Sequence, residues 1–146
     1  MIFRFALTPV LRLRKNLERR EHLALQTLYS QVAEVRSDIK ALDQVLSQAR
    51  SQRSSQLLEG IPAGFLQLEL EGEARVANRR QALTVKLGQL QNQVKEQIGK
   101  YQQARQRRET MEELQRQQFE EHIRAETTRE QRASDELFLL RRIRPR

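Results

Sequence analysis

Apolar residues recur at alternating steps of four and three along residues 28–49. They are Leu28, Val32, Val35, Ile39, Leu42, Leu46 and Ala49. This spacing is the a/d heptad repeat of a coiled coil, in which a narrow apolar stripe packs against a partner helix. Because a single helix cannot bury such a stripe, the pattern predicts a second helix with a matching one.

A second stripe follows the only strong break in the chain, where Gly60, Pro62 and Gly64 fall within five residues. Its members are Leu83, Leu87, Leu90, Val94, Ile98 and Tyr101. Two successive steps of four, from Leu90 through Val94 to Ile98, predict a local stutter in the heptads. Two stripes joined by a short break predict an all-α fold, two long helices in an antiparallel coiled-coil hairpin.

The predicted boundaries are about 8–58 for helix one, 59–65 for the turn and about 66–142 for helix two, in a single coiled-coil domain over 1–146. Thr8 followed by Pro9 is typical of a helix start. The apolar stripes form the seam along which the two helices pack. Its beginning on helix one is predicted to pack less tightly, because the polar residues Arg14, Glu18 and Glu21 occupy positions there. Folding about residue 62 pairs residue i with roughly 124 minus i, so helix two should overhang beyond about residue 120.

Composition agrees with long helices: 38% of the 146 residues are hydrophobic, 32% are charged and none is Cys. A chain without Cys forms no disulfide or thiolate metal site. The net charge of +8 favours anionic partners such as nucleic acid, anionic lipid or acidic protein surfaces. Basic residues crowd both ends of the chain, and no apolar run is long enough to cross a bilayer.

Catalytic patterns are missing from the sequence. His22 and His122 have no metal-ligand spacing around them, and we expect both to be exposed and without function. Adjacent acids on a helix point about 100° apart, so pairs such as Glu112 and Glu113 are solvated charges rather than the paired acids of a hydrolase. We therefore predict a protein that is not an enzyme and that needs no cofactor or metal.

Basic residues ahead of heptads superficially resemble a basic-zipper DNA-binding protein. Here a second apolar stripe within the same chain can bury the first, so the chain does not need to form a parallel dimer. We predict no specific nucleic-acid binding. A generic coiled-coil scaffold, or a helical protein that attracts polyanions by charge alone, stays open as an alternative.

Three features of the chain together form a specific pattern. The first is the opening pattern, the second is the Gly60 break near mid-chain, and the third is a polar pattern near the carboxyl end followed by basic residues. The opening pattern comprises Phe5, Leu7, Val10, Leu11, Leu13, Arg14 and Glu18, and the carboxyl-end pattern comprises Ala125, Glu126, Gln131, Asp135 and Glu136. Over essentially its full length, the chain resembles the FliJ family, the small coiled-coil component of the bacterial flagellar type III export apparatus.

The resemblance implies a stalk for the hexameric flagellar export ATPase, which promotes assembly of the ATPase ring and contacts the export gate and the machinery that escorts export chaperones. It implies a cytoplasmic location, peripheral at the cytoplasmic face of the inner membrane through the export apparatus. The expected ATPase-binding residues are Arg12, Lys15, Arg19, Glu126, Gln131, Asp135 and Glu136.

For the gate, the resemblance implies a surface on the helices flanking the turn, with Leu42, Val45 and Ala49 as candidates. Leu42 falls on a matching aliphatic position, whereas Val45 and Ala49 stand where the family often has aromatic residues. The equivalent stalk of a virulence type III injectisome shares the hairpin and is the main alternative.

Overall fold

The structure is a computed structural model that describes residues 2–144; Met1, Pro145 and the basic Arg146 lie outside the described residues. It contains two helices, α1 (Thr8–Glu59) and α2 (Ala63–Ile143), and the described residues form no strand. The two helices contact each other, which confirms the predicted all-α helical hairpin.

Contacts within the chain define two compact units. Unit 1 comprises Met1–Arg20 and Gln102–Arg146, and unit 2 comprises Glu21–Tyr101. That the chain forms a single coiled-coil domain stays a prediction.

The turn between the helices is shorter than the sequence predicts. Gly60 has a φ of +81°, a left-handed conformation that a residue without Cβ adopts at little cost. The backbone N–H groups of Phe65 and Leu66 both donate to the Pro62 carbonyl at 3.1 Å, so α2 begins at Ala63 and includes Gly64. Proline, having no N–H to leave unpaired, suits a helix start, and the reversal needs only residues 60–62.

The start of α1 lies at the predicted position, but Thr8 acts differently. Its hydroxyl donates to the Phe5 carbonyl at 2.6 Å, and its N–H donates to the same oxygen at 3.1 Å. The N–H of Leu11 donates to the Leu7 carbonyl at 2.9 Å. Thr8 therefore ties the preceding segment back onto the helix start instead of accepting a bond from the first turn, as an N-cap side chain does.

Unit 2 has an apolar core built from both stripes. Val32, Val35 and Leu90 are buried, and partly buried Leu28, Ile39, Leu83, Leu87 and Val94 pack against them. Leu46 is buried as well, while Leu42, Ala49, Ile98 and Tyr101 are half-buried. Leu25 is also buried, three residues before Leu28, so the α1 heptads continue towards the amino terminus through Leu25.

Polar pairs fix the register of unit 2. Arg80 donates to both carboxylate oxygens of Asp43, and Arg53 Nη1 donates to Glu73 Oε2 at 2.7 Å. The residue numbers of these pairs add to 123 and 126, in agreement with the predicted antiparallel pairing near 124.

The predicted stutter in helix two is wrong. Gln97 is 9% exposed and belongs to the seam, whereas Ile98 is only half-buried. Steps of four and three then continue from Leu90 through Val94 and Gln97 to Tyr101. A buried amide is tolerated because Gln97 Nε2 donates to the Glu21 carbonyl oxygen at 3.0 Å and to the Glu21 carboxylate.

Unit 1 packs the amino-terminal residues against α2. Phe5 and Leu11 are 6% and 5% exposed. The ring of Phe3 lies 5.2 Å from that of Phe119 in an edge-to-face arrangement and 5.5 Å from the His122 ring. Because the residues before α1 extend the packing, α2 is covered as far as His122, slightly beyond the predicted limit near 120. Every described residue from 127 to 144 is exposed, and we call residues 127–144 the overhang.

Candidate interaction surfaces

The positive charge of the chain resides in unit 1. By sequence, unit 1 carries 17 Lys and Arg against 10 Asp and Glu, a net charge of +7, whereas unit 2 carries 10 against 9, a net charge of +1. Salt screens charges beyond a Debye length of about 8 to 10 Å, so an anionic partner responds to this local excess rather than to the total. Unit 1 is therefore the more favourable of the two for an acidic partner.

The three predicted basic residues of α1 form an exposed stripe. Arg12, Lys15 and Arg19 follow one another at steps of three and four, so they share one helix face, and all three are exposed. Lys15 Nζ lies 3.9 Å from Glu112 Oε1, whereas neither Arg12 nor Arg19 has an ion pair among the described residues. Two of the three cations are thus available to a partner.

Beside this stripe lies an ion-pair network that holds α1 to α2. Arg108 donates to Glu18, whose side chain is 16% exposed. The Nη1 atom of Arg108 also donates to Glu112 at 2.7 Å. The hydrogen bond to Glu18 raises the pKa of the Arg108 guanidinium above its usual value. Glu18 is one of the polar residues that loosen the predicted seam, and its charge is compensated inside unit 1.

The predicted carboxyl-end residues do not form one site. Glu126 is half-buried, and its Oε1 lies 3.3 Å from His122 Nε2. Gln131, Asp135 and Glu136 are exposed on the overhang. No contact among the described residues joins these three to the basic stripe, so the predicted ATPase-binding residues form two separate surfaces of unit 1.

A groove in unit 2 contains two of the three predicted gate residues. It has a volume of about 320 Å³ and lies between the two helices. Its lining residues are Val45, Leu46, Ala49 and Gln52 from α1, and Glu69, Gly72, Glu73 and Val76 from α2. Ala49 and Gly72 leave this space because alanine has only a methyl side chain and glycine has none. Leu42, the third predicted gate residue, does not line the groove.

One wall of the groove carries a buried carboxylate. Glu73 Oε2 accepts from Arg53, while Glu73 Oε1 is buried without a hydrogen-bond partner in the described part of the chain. A Cβ built on Gly72 meets no atom within 4 Å, so the space above this glycine is open. Sequence reasoning missed Gly72, Glu73 and Val76, because the gate candidates came from the family resemblance, which gave none on α2. The predicted pairing near 124 already places these residues opposite positions 48–52.

The two histidines have different surroundings. His22 is exposed and lies 5.5 Å, between ring centroids, from Tyr101. The His122 side chain is 25% exposed and packs on Phe3, so the expectation of an exposed residue is wrong for His122. Within residues 2–144, no group of three or more His, Cys, Asp and Glu side chains could hold a metal ion.

Neither helix, over the part of the chain that the structure describes, combines the length and the apolar character that a membrane span requires.

Comparison with known families decides the identity. The family model described as "Flagellar FliJ protein" matches residues 3–146. The chain belongs to the FliJ family. The resemblance inferred from its opening residues, its Gly60 break and its carboxyl-end pattern is thereby confirmed. Neither the search of curated proteins nor the search of solved structures found a match.

Membership in the FliJ family makes the chain a component of the flagellar export apparatus. The family match spans both units, so it covers the basic stripe, the overhang and the groove alike. It assigns no role to a single residue, and the roles of these three surfaces rest on their own geometry and charge.

Proposed function

We propose that this FliJ-family chain is the non-catalytic stalk of the hexameric flagellar export ATPase, that it promotes assembly of the ATPase ring, and that it couples the ring to the export gate and to chaperone escort. The observation that carries the proposal is that one unit has both most of the net positive charge and a helix end that no other part of the described chain packs against. Unit 1 holds +7 of the +8 net charge and also the exposed overhang. A partner of unit 1 should therefore offer an acidic surface to the basic stripe and should contact the overhang on more than one side.

The ATPase contact in this proposal has two parts. Arg12, Lys15 and Arg19 supply positive charge on α1, and Gln131, Asp135 and Glu136 supply polar and acidic groups on the overhang. Asp135 and Glu136 are exposed and have no ion pair among the described residues, so both carboxylates are available to a basic partner surface.

The test is the rate of ATP hydrolysis and the extent of hexamer formation by the cognate flagellar export ATPase, titrated with the full-length chain. We expect both quantities to rise together and to saturate. A correctly folded helical chain that changes neither quantity would contradict the stalk and would leave a scaffold. Stimulation of an injectisome ATPase but not of the flagellar one would favour the injectisome alternative.

We place the gate contact in the groove of unit 2. The groove is lined by Val45, Leu46, Ala49 and Val76, and it is large enough to take one or two side chains of a partner. Through this contact with a membrane protein, the chain would be held at the cytoplasmic face of the inner membrane.

Filling the groove provides a sharp test of the gate contact. Gly72→Leu places a side chain in open space and improves helix propensity by about 0.8 kcal/mol, so the variant should be at least as stable as wild type. We expect its affinity for the cytoplasmic part of the export gate to fall about tenfold or more, measured by calorimetry.

The matched control is Gly88→Leu, the same substitution on the same helix outside the groove, where a Cβ also meets nothing within 4 Å. Gate binding by Gly88→Leu should equal that of wild type. Equal affinity for Gly72→Leu and wild type would exclude the groove as the gate site.

A further inference from the structure

The last two turns of α2 combine exposed apolar and basic residues. We call residues 137–144 the terminal segment. Its five apolar side chains are all more than half exposed: Leu137 at 58%, Phe138 at 65%, Leu139 at 53%, Leu140 at 59% and Ile143 at 72%. Monomeric proteins seldom leave so much contiguous apolar surface uncovered.

The apolar side chains point in every direction around the helix. Four consecutive helical residues, 137 to 140, are separated by steps of about 100° and so span a full turn. A protein groove that receives a helix buries one face of it, with anchors three or four residues apart. Surroundings that enclose the helix end cover this arrangement more completely, and the acyl-chain region of a bilayer surface is one of these.

The charge of the terminal segment has one sign. Arg141, Arg142 and Arg144 are exposed, and residues 137–144 contain no acid. None of the three arginines has an ion pair among the described residues. Long arginine side chains reach from a buried backbone to lipid headgroups, and each basic residue near an anionic surface adds to the attraction.

We propose that the terminal segment binds directly to the surface of a membrane that contains anionic lipid. This goes beyond the proposed function, in which the membrane is reached only through the gate. The acids Asp135 and Glu136 precede the segment and limit the lipid contact to the last two turns, because carboxylates are repelled by anionic headgroups.

The turn between the helices serves as an internal comparison. Leu57, Leu58, Phe65 and Leu68 are 49% to 91% exposed, an apolar surface similar to that of the terminal segment. The charged residues from 54 to 72 are Glu59, Glu69 and Glu71, and all three are acids. The turn therefore offers apolar surface without positive charge, and it should not bind anionic lipid.

The experiment is co-sedimentation of the full chain with vesicles of phosphatidylcholine alone and with about 30% phosphatidylglycerol, without ATPase. We expect binding to the anionic vesicles only. Arg141→Gln with Arg142→Gln should weaken it about 25-fold, fivefold for each arginine. Phe138→Ser with Leu140→Ser, and separately Leu137→Ser with Leu139→Ser, should each weaken it about tenfold or more.

Two control variants match these changes. Arg12→Gln with Arg19→Gln removes the same charge from α1, and Leu58→Ser with Leu68→Ser removes apolar surface at the turn; both should bind within about twofold of wild type. Every substituted residue is exposed, so helicity by circular dichroism should not change.

Failure of the wild-type chain to bind anionic vesicles would overturn the proposal. So would an equal loss in the α1 charge variant, which would indicate unspecific attraction by net charge, or wild-type binding by either apolar variant. Because no ATPase is present, these outcomes are independent of those that test the stalk.

Discussion

Removing the overhang after Arg129 should abolish stimulation of the export ATPase while leaving the rest of unit 1 folded. The shortened chain lacks Gln131, Asp135 and Glu136, which reach beyond all packing described in unit 1. It keeps Phe3 against Phe119 and His122, and it keeps the pair between His122 and Glu126. The measurement is the ATPase rate at saturating full-length and shortened chain.

The position of the truncation matters because Phe3 packs against Phe119 and His122. A chain ending at Glu121, where the sequence alone places the start of the overhang, would also lose His122 and leave Phe3 partly uncovered. Its failure could then reflect an unfolded amino terminus. Undiminished stimulation by the chain ending at Arg129 would show that the overhang has no part in the ATPase contact.

Charge reversal distinguishes the contribution of Asp135 and Glu136 to ATPase binding from that of the remaining overhang residues. Asp135→Lys with Glu136→Lys should lower the apparent affinity for the ATPase about tenfold or more, because each introduced lysine meets a like charge on the basic partner surface. Glu59→Lys with Glu71→Lys makes the same change in net charge at exposed acids of unit 2 and should have little effect. Wild-type binding by the first variant would exclude a role for these acids.

The heptads and the break at Gly60 were together sufficient to predict the hairpin. Steps of four and three identified Val32, Val35 and Leu90, which form the buried core of unit 2. This inference is reliable because the apolar period depends only on residues near one another in sequence.

The register of the second seam was harder to predict, since Gln97 is polar and Ile98 is not. The pattern of apolar residues predicts Ile98 as the seam residue. The fold instead buries Gln97, because the Glu21 carbonyl and carboxylate from the other helix accept its amide hydrogens. A hydrogen bond between residues 76 positions apart has no signature in local sequence.

Of the interaction surfaces, the basic stripe was predicted from sequence and the groove only in part. The basic stripe is a helical repeat of exposed cations, so sequence spacing sufficed to place Arg12, Lys15 and Arg19 on one face. The groove arises from small residues on two helices, Ala49 and Gly72, which come together only through the pairing. Only its α1 side, Val45 and Ala49, was predicted, because these candidates came from the family resemblance, which gave none on helix two.

Shortening one core side chain should have the largest effect on stability. Leu90 is 7% exposed and packs in the cluster with Val32 and Val35. Leu90→Ala removes buried apolar volume from a seam only two helices wide, and we expect the free energy of unfolding to fall by about 3 kcal/mol. The measurement is urea unfolding followed by circular dichroism.

Leu68→Ala is the matched control, since Leu68 lies on the same helix and is 65% exposed. Both variants change helix propensity by the same small amount, so their difference isolates the loss of packing. We expect Leu68→Ala to remain within about 0.5 kcal/mol of wild type. Equal losses in the two variants would show that helix propensity rather than the heptad seam stabilises unit 2. A much larger loss in Leu90→Ala would show that burial of the seam between the two helices maintains the hairpin.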